Sequence, residues 1–127
     1  MGFFSKVFTW WNGATVGTTL FTRLHGEEVG KDDAGNVYFR GKKNPASRWV
    51  IYSGDNDGSR VPPDWQAWLK GTIDDLPQKS LPAARKFERA PVHNLTGTMA
   101  AFRPDGSLAK AMVRPASTGD YEAWKPE

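Results

Sequence analysis

Six of the nine prolines fall between Pro77 and Pro126, within the last 51 of 127 residues. A proline removes a backbone donor and interrupts a helix, so the intervals between them accommodate only short helical turns. The same stretch carries no long apolar period. Ordering each residue costs about 1–2 kcal/mol of backbone entropy, and few apolar groups are present to offset it. Residues 72–127 are therefore read as a long extended tail. The tail nonetheless keeps large side chains, among them Phe87, Leu95, Met99, Phe102, Tyr121 and Trp124. It is expected to become ordered by wrapping a partner; the alternative is a tail without fixed structure.

The chain ahead of that tail has a different grain. Glu28–Lys31 and Val37–Arg40 flank Asp32-Asp33-Ala34-Gly35-Asn36, whose Gly and Asn supply the positive φ of a hairpin loop. Arg48-Trp49-Val50-Ile51-Tyr52 is a further β-branched and aromatic run, so three short antiparallel strands are expected. Pro62 and Pro63 then pre-set a helical first turn, Asp64 suits its dipole, and Gly71 permits a left-handed stop. Trp65, Trp68 and Leu69 stand at i, i+3 and i+4, one apolar stripe fit to cover the small sheet. Trp49, Trp65, Trp68 and Leu69 are the expected structural core. The fold class is α+β: a short N-terminal helix, a three-stranded antiparallel sheet with one short helix, and the extended tail. Domain boundaries are set at 1–26, 27–71 and 72–127.

Near the start, Phe3, Phe4, Val7, Phe8 and Trp11 share one side at helical spacing, giving a short amphipathic helix ended by Asn12-Gly13. That helix either packs on its own domain or docks on a partner or a membrane surface. No small-residue cleavage site follows it, and the Arg and Ser richness of a transit peptide is absent. The stretch from Asn12 to Gly26 mixes Gly and Thr without clear period and is read as an irregular or extended linker. No run approaches the ~20 apolar residues of a membrane span.

Active-site patterns fail one by one. No cysteine is present, which excludes disulfides, thiolate metal sites and a cysteine nucleophile. Ser53-Gly54-Asp55-Asn56-Asp57-Gly58 resembles the start of a calcium loop, but its twelfth position is Asp64 and prolines occupy the exit. Gly13-Ala14-Thr15-Val16-Gly17-Thr18 lacks the lysine of a phosphate-binding loop. His25 and His93 lie far apart with no companion nucleophile, and Glu27-Glu28, Asp32-Asp33 and Asp74-Asp75 are adjacent pairs that tend to point apart. The net charge of +3 is spread along the chain, unlike the clustered charge of a nucleic-acid binder. Six tryptophans and seven phenylalanines scattered through a chain of mean hydropathy −0.58 instead suit a protein that lies on another. A binder of anionic lipid or other polyanion remains a third class, marked by salt-sensitive binding.

The order of landmarks resembles one family. They are Val29-Gly30, Asp32, Gly35-Asn36 and Tyr38; Arg48-Trp49-Val50 and Tyr52; and Val61-Pro62-Pro63 with Trp65, Trp68 and Leu69. They continue with Asp74-Asp75, Ala84-Arg85-Lys86-Phe87, Asn94-Leu95-Thr96-Gly97-Thr98, Tyr121 and Trp124. Over roughly Val29 to Pro126 the chain resembles the accessory subunit of respiratory complex I called NADH dehydrogenase 1 alpha-subcomplex subunit 12. The compact length and the missing transit signal look like a bacterial, alphaproteobacterial-type member.

The resemblance implies a non-catalytic accessory subunit of the proton-pumping NADH:ubiquinone oxidoreductase, with no cofactor and no catalytic residue. It would lie on the hydrophilic arm, contact iron–sulfur core subunits near the quinone-reducing region and stabilise the arm. Its place would be the cytoplasmic side of the bacterial inner membrane, or the matrix side if mitochondrial, peripheral to the lipid. A second branch of the family acts as an assembly chaperone that leaves the mature enzyme, and is the alternative. Expected partner-binding residues at the N-terminus are Phe3, Phe4, Phe8 and Trp11. Those downstream are Arg85, Lys86, Phe87, Tyr121 and Trp124, and no nucleic acid is expected as a partner.

Overall fold

A computed structural model describes residues 3–8, 13–110 and 113–127, with the backbone alone at residues 3, 5 and 6. In chain order the elements are α1 (Phe3–Phe8), α2 (Val16–His25), β1 (Gly26–Lys31), β2 (Val37–Gly41), β3 (Arg48–Ile51), α3 (Pro63–Leu69) and α4 (Pro77–Ser80). A 3-10 turn, Gly58–Arg60, precedes α3. The class is α+β. The chain divides into two units, Met1–Asn94 and Leu95–Glu127.

The three strands form one antiparallel sheet in the order β1-β2-β3. Successive side chains along a strand point to opposite faces, which separates the aromatic residues into two sets. Tyr38 of β2 stands opposite Val50 of β3, and Phe39 stands opposite Trp49. On β1 the register shifts between Glu28 and Gly30, so Val29 is an extra residue. This bulge puts both Val29 and Gly30 across from Tyr38, on the side that α3 covers.

That side holds the core: Tyr38 is fully buried, Trp68 is 2% exposed, Trp65 5% and Val61 7%. The Trp65 ring stacks on Tyr38 at 4.0 Å between centroids, and Trp68 meets both edge-on, at 6.4 Å and 5.7 Å. Such pairs add about 0.5–1.5 kcal/mol each beyond their burial. Gly30 is required beneath them, since a Cβ there would approach a Trp65 ring carbon to 2.9 Å. Around this cluster pack Val29, Val50, Tyr52 and Leu69, and also Ile73 and Leu76. The unit built on the sheet thus continues beyond Gly71, because the chain after α3 returns two apolar side chains to the same core.

Trp49 stands on the opposite face. Its ring lies 6.2 Å from Phe39 and 5.7 Å from Phe21 of α2, and its indole N–H donates to the Thr22 hydroxyl at 3.0 Å. The segment expected to be an extended linker is therefore a ten-residue helix lying against the sheet. Thr15 caps it, its hydroxyl accepting from the Thr18 N–H at 3.2 Å. Threonine disfavours helix interiors through its stiff χ1, and that cost hid the pattern. The apolar residues Val16, Leu20 and Leu24 do recur at four-residue intervals.

Polar contacts lock the hairpin to the loop after β3 and the 3-10 turn. Asn36, 1% exposed, donates from its backbone and side-chain amides to the two Asp32 carboxylate oxygens at 2.9 and 2.8 Å. Its side-chain amide also reaches the Arg60 carbonyl, and its side-chain oxygen accepts from the Ser53 N–H at 3.1 Å. The Tyr38 hydroxyl donates to Asp32 at 2.7 Å. Burial first, and the Asp32 carboxylate second, push the Tyr38 phenol well above its ordinary range and hold it neutral. A buried polar group without partners costs about 1–3 kcal/mol, and this network satisfies all three side chains together.

The C-terminal end of α3 is closed by a side chain rather than by a following turn alone. The Arg48 guanidinium donates to the Trp68 carbonyl at 2.6 Å and the Ile73 carbonyl at 2.8 Å, and lies 5.0 Å above the Trp68 ring. A cation at that end complements the helix dipole and satisfies carbonyls that the helix leaves open. Gly71 follows with φ +73°, the left-handed stop the sequence implies.

Candidate partner-binding surface

Beyond the core the chain holds itself together by local turns. In residues 95–127 the backbone bonds span three residues, as in Thr98 N–H to the Leu95 carbonyl and Ala101 N–H to the Thr98 carbonyl. Gly97 and Gly106 take positive φ values that pivot such turns. Two ion pairs reinforce them: Lys110 with Asp105 at 2.6 Å, and Arg114 with Asp120. The Arg114 guanidinium, then the Ser117 N–H, holds the Asp120 carboxyl below the usual carboxylate range.

Leu95 is half-buried, but the turns leave most of the described large apolar side chains unsheltered. Met99, Phe102, Leu108 and Val113 stand exposed, as do Tyr121 and Trp124, the last at 81%. Phe87 and Val92 are exposed in the first unit as well. A single exposed apolar residue is ordinary, but a run of them along a sequence this polar is the signature of surface meant for burial.

The expected partner-binding residues fall in three places. Tyr121 and Trp124 lie in the 95–127 unit. Arg85, Lys86 and Phe87 follow α4, with the Arg85 guanidinium 5.8 Å over the Phe87 ring, and all three are exposed. Phe4 and Phe8 are exposed on α1, while Trp11 and the Phe3 side chain lie outside the described residues. The structure brings Arg85, Lys86 and Phe87 together as one patch. Sequence reasoning missed the exposed residues of α2, Leu20, Phe21 and Leu24, because it read no helix there. The four-residue recurrence of Val16, Leu20 and Leu24 was the available signal.

The loop that resembles a calcium site has its carboxylates already engaged. Asp57 accepts from the Ser59 N–H at 2.9 Å and the Ser59 hydroxyl at 2.7 Å, and the backbone donor, first, lowers its pKa. Asp55 pairs with Arg60 at 3.4 Å. The Ser59 hydroxyl also accepts from the Asn94 N–H at 2.9 Å, fastening the end of the first unit to this loop. The His25 ring stacks on Phe21 at 4.8 Å, and His93 is exposed. Among the described residues no three metal-ligating side chains converge, and no helix is long and apolar enough to cross a membrane. A shallow pocket of about 220 Å³ lies between α3 and α4, lined by Val29, Trp68 and Leu76 with Arg40, Lys79, Asp74 and Asp75.

Comparison with known proteins adds a second, independent line. The bovine (Bos taurus) protein named NADH dehydrogenase [ubiquinone] 1 alpha subcomplex subunit 12 is 38% identical over 107 residues, covering 73% of this chain and 74% of its own length. The protein of the same name from Dictyostelium discoideum is 35% identical over 88 residues, covering 65% and 63% respectively. The mouse (Mus musculus) protein is 42% identical over 73 residues, about half of each chain. The family model described as NADH ubiquinone oxidoreductase subunit NDUFA12 matches residues 26–126, from the first residue of β1 to Pro126. With four-fifths of its length matched in this way, the chain belongs to the NDUFA12 family of NADH ubiquinone oxidoreductase subunits.

Proposed function

We propose that the protein is a non-catalytic accessory subunit of the proton-pumping NADH:ubiquinone oxidoreductase that binds and stabilises the hydrophilic arm. Its neighbours there are the iron–sulfur core subunits near the quinone-reducing region. One observation carries this reading. The family match continues through residues 95–126, a stretch in which Phe102, Tyr121 and Trp124 stand exposed and the backbone bonds of the described residues are local turns. Side chains of this kind dominate interface energetics, and a chain that folds on contact offsets its ordering entropy with the interface it gains. Arg85, Lys86 and Phe87 form a second contact, in which the guanidinium lies over the ring and the charges meet acids on the partner.

The protein sits at the membrane periphery, on the cytoplasmic side in a bacterium and on the matrix side in a mitochondrion. Mild solubilisation, native separation of intact complexes and mass spectrometry of each band test the reading. The polypeptide is expected in the mature NADH-oxidising band at one copy per core subunit. Its presence only in smaller, inactive bands would replace the stable subunit with an assembly chaperone.

A further inference from the structure

The helix α2 is built inside out. Its one buried residue is Thr22, 5% exposed, while Val16, Leu20, Phe21 and Leu24 are all exposed, Leu24 at 60%. At 100° per residue Val16, Leu20 and Leu24 fall within one narrow stripe, and Thr18, Thr19 and Thr22 fall on the other side. The Trp49 indole bond to the Thr22 hydroxyl fixes that rotation, so the apolar stripe faces away from the sheet. A helix that serves only its own fold turns the stripe inward.

The charge carried by the helix and the residues before it is of one sign. Residues 1–25 contain Lys6 and Arg23 and no Asp or Glu, so all 14 acids of the chain lie in residues 26–127. Arg23 borders the stripe beside Val16. At the C-terminal end of α2, Lys42 donates from Nζ to the Leu24 carbonyl at 3.4 Å, and Lys43 beside it is exposed. The acids beyond the two ends of α2 are engaged: Glu27 with Arg40 at 3.1 Å and Glu28 with Lys31 at 3.8 Å after the helix, and Asp55 with Arg60 at 3.4 Å and Asp57 with the Ser59 N–H at 2.9 Å in the loop whose Asn56 amide donates to the Gly13 carbonyl. An apolar stripe edged by Arg23, Lys42 and Lys43, on a helix that itself holds no acid, matches an anionic bilayer, whose headgroups attract the cations while the acyl boundary takes the apolar side chains. The α1 residues Phe4, Val7 and Phe8 are also exposed and belong to the same acid-free segment. This segment lies outside the matched residues 26–126.

We propose that α2 is a membrane-surface anchor, its Val16–Leu20–Leu24 stripe resting in the headgroup layer of an anionic lipid bilayer with Arg23, Lys42 and Lys43 on the phosphates. The proposal does not depend on the accessory-subunit reading, because lipid binding is a property of the chain alone.

The full-length chain is incubated with phosphatidylcholine vesicles, with and without phosphatidylglycerol, and the bound fraction is read by co-sedimentation at low and high salt. Binding is expected only with the anionic lipid, falling as salt rises. The double substitution Leu20→Asp and Leu24→Asp is expected to weaken it by at least about tenfold, since two apolar side chains leave the interface. Arg23→Gln with Lys43→Gln, which touch no buried contact, is expected to weaken it less and to flatten the salt dependence. Unchanged circular dichroism of each variant shows that the sheet is intact. No vesicle binding by the parent chain, or binding that survives the aspartates, overturns the proposal. Aspartates that abolish incorporation into the respiratory complex while the parent chain ignores vesicles would make the stripe a protein-docking face instead.

Discussion

Trp68 and Trp124 are the same residue put to opposite uses. The first is 2% exposed, lies under the Arg48 guanidinium and meets Tyr38 and Trp65 edge-on. The second stands 81% exposed in a unit whose backbone closes only three-residue turns. Residues 26–51 bring three strands together across the sequence, so Tyr38, Trp49, Trp65 and Trp68 find neighbours from distant positions. Among the described residues of 95–127 no strand pairs with another. Large apolar side chains are thus no guide to a core by themselves. What decides is whether the backbone around them can return, and in the second unit it does not.

The sharpest way to break this contrast is to remove each ring in turn. Trp68→Ala is expected to cost about 3–5 kcal/mol of stability, read by urea or thermal unfolding of the isolated chain, because it empties the centre of the small core. A loss under 1 kcal/mol would mean that this core does not hold the sheet. Trp124→Ala should leave the unfolding transition where it was and weaken incorporation into the respiratory complex by about 2–4 kcal/mol, measured by competition with the parent chain. If it instead unfolds the protein, the second unit is structural after all.

Arg48→Met tests whether the core depends on its polar cap. Two carbonyls, of Trp68 and Ile73, would lose a charged donor, and a loss of about 1.5–3 kcal/mol in the same unfolding assay is expected. The smallest effect sharpens the comparison most. A chain ending at Asn94 should unfold within about 0.5 kcal/mol of the full chain, since the described residues it removes bury no large side chain. It should fail to enter the complex.

Much of the first unit is legible in the sequence because local signals and packing agree there. Gly35-Asn36 makes the hairpin turn, and Asn36 does more than the turn requires by bonding Asp32, Ser53 and Arg60. Pro63, Asp64 and the Trp65–Trp68–Leu69 spacing announce α3, and Gly71 ends it as its φ demands. Trp49 shows where the pattern gives out. It reads like its tryptophan fellows, yet strand alternation sends it to the opposite face, onto Phe39 and Thr22. The helix α2 is harder to read as one, because Gly17, Thr18, Thr19 and Thr22 lower its helix propensity and only Thr22 is buried. The candidate partner-binding surface is legible only as a series of anchors, since among the described residues no core of this chain buries them.

Gly26 joins α2 to β1 with no intervening loop, and a Cβ there would approach the Thr22 carbonyl to 2.6 Å and the Trp49 ring to 2.8 Å. Helix and strand therefore meet at a fixed elbow rather than a swivel. Whatever α2 rests on, the sheet inherits its tilt and its height above that support. The freedom that a flexible tether would surrender at assembly has been given up already, during folding.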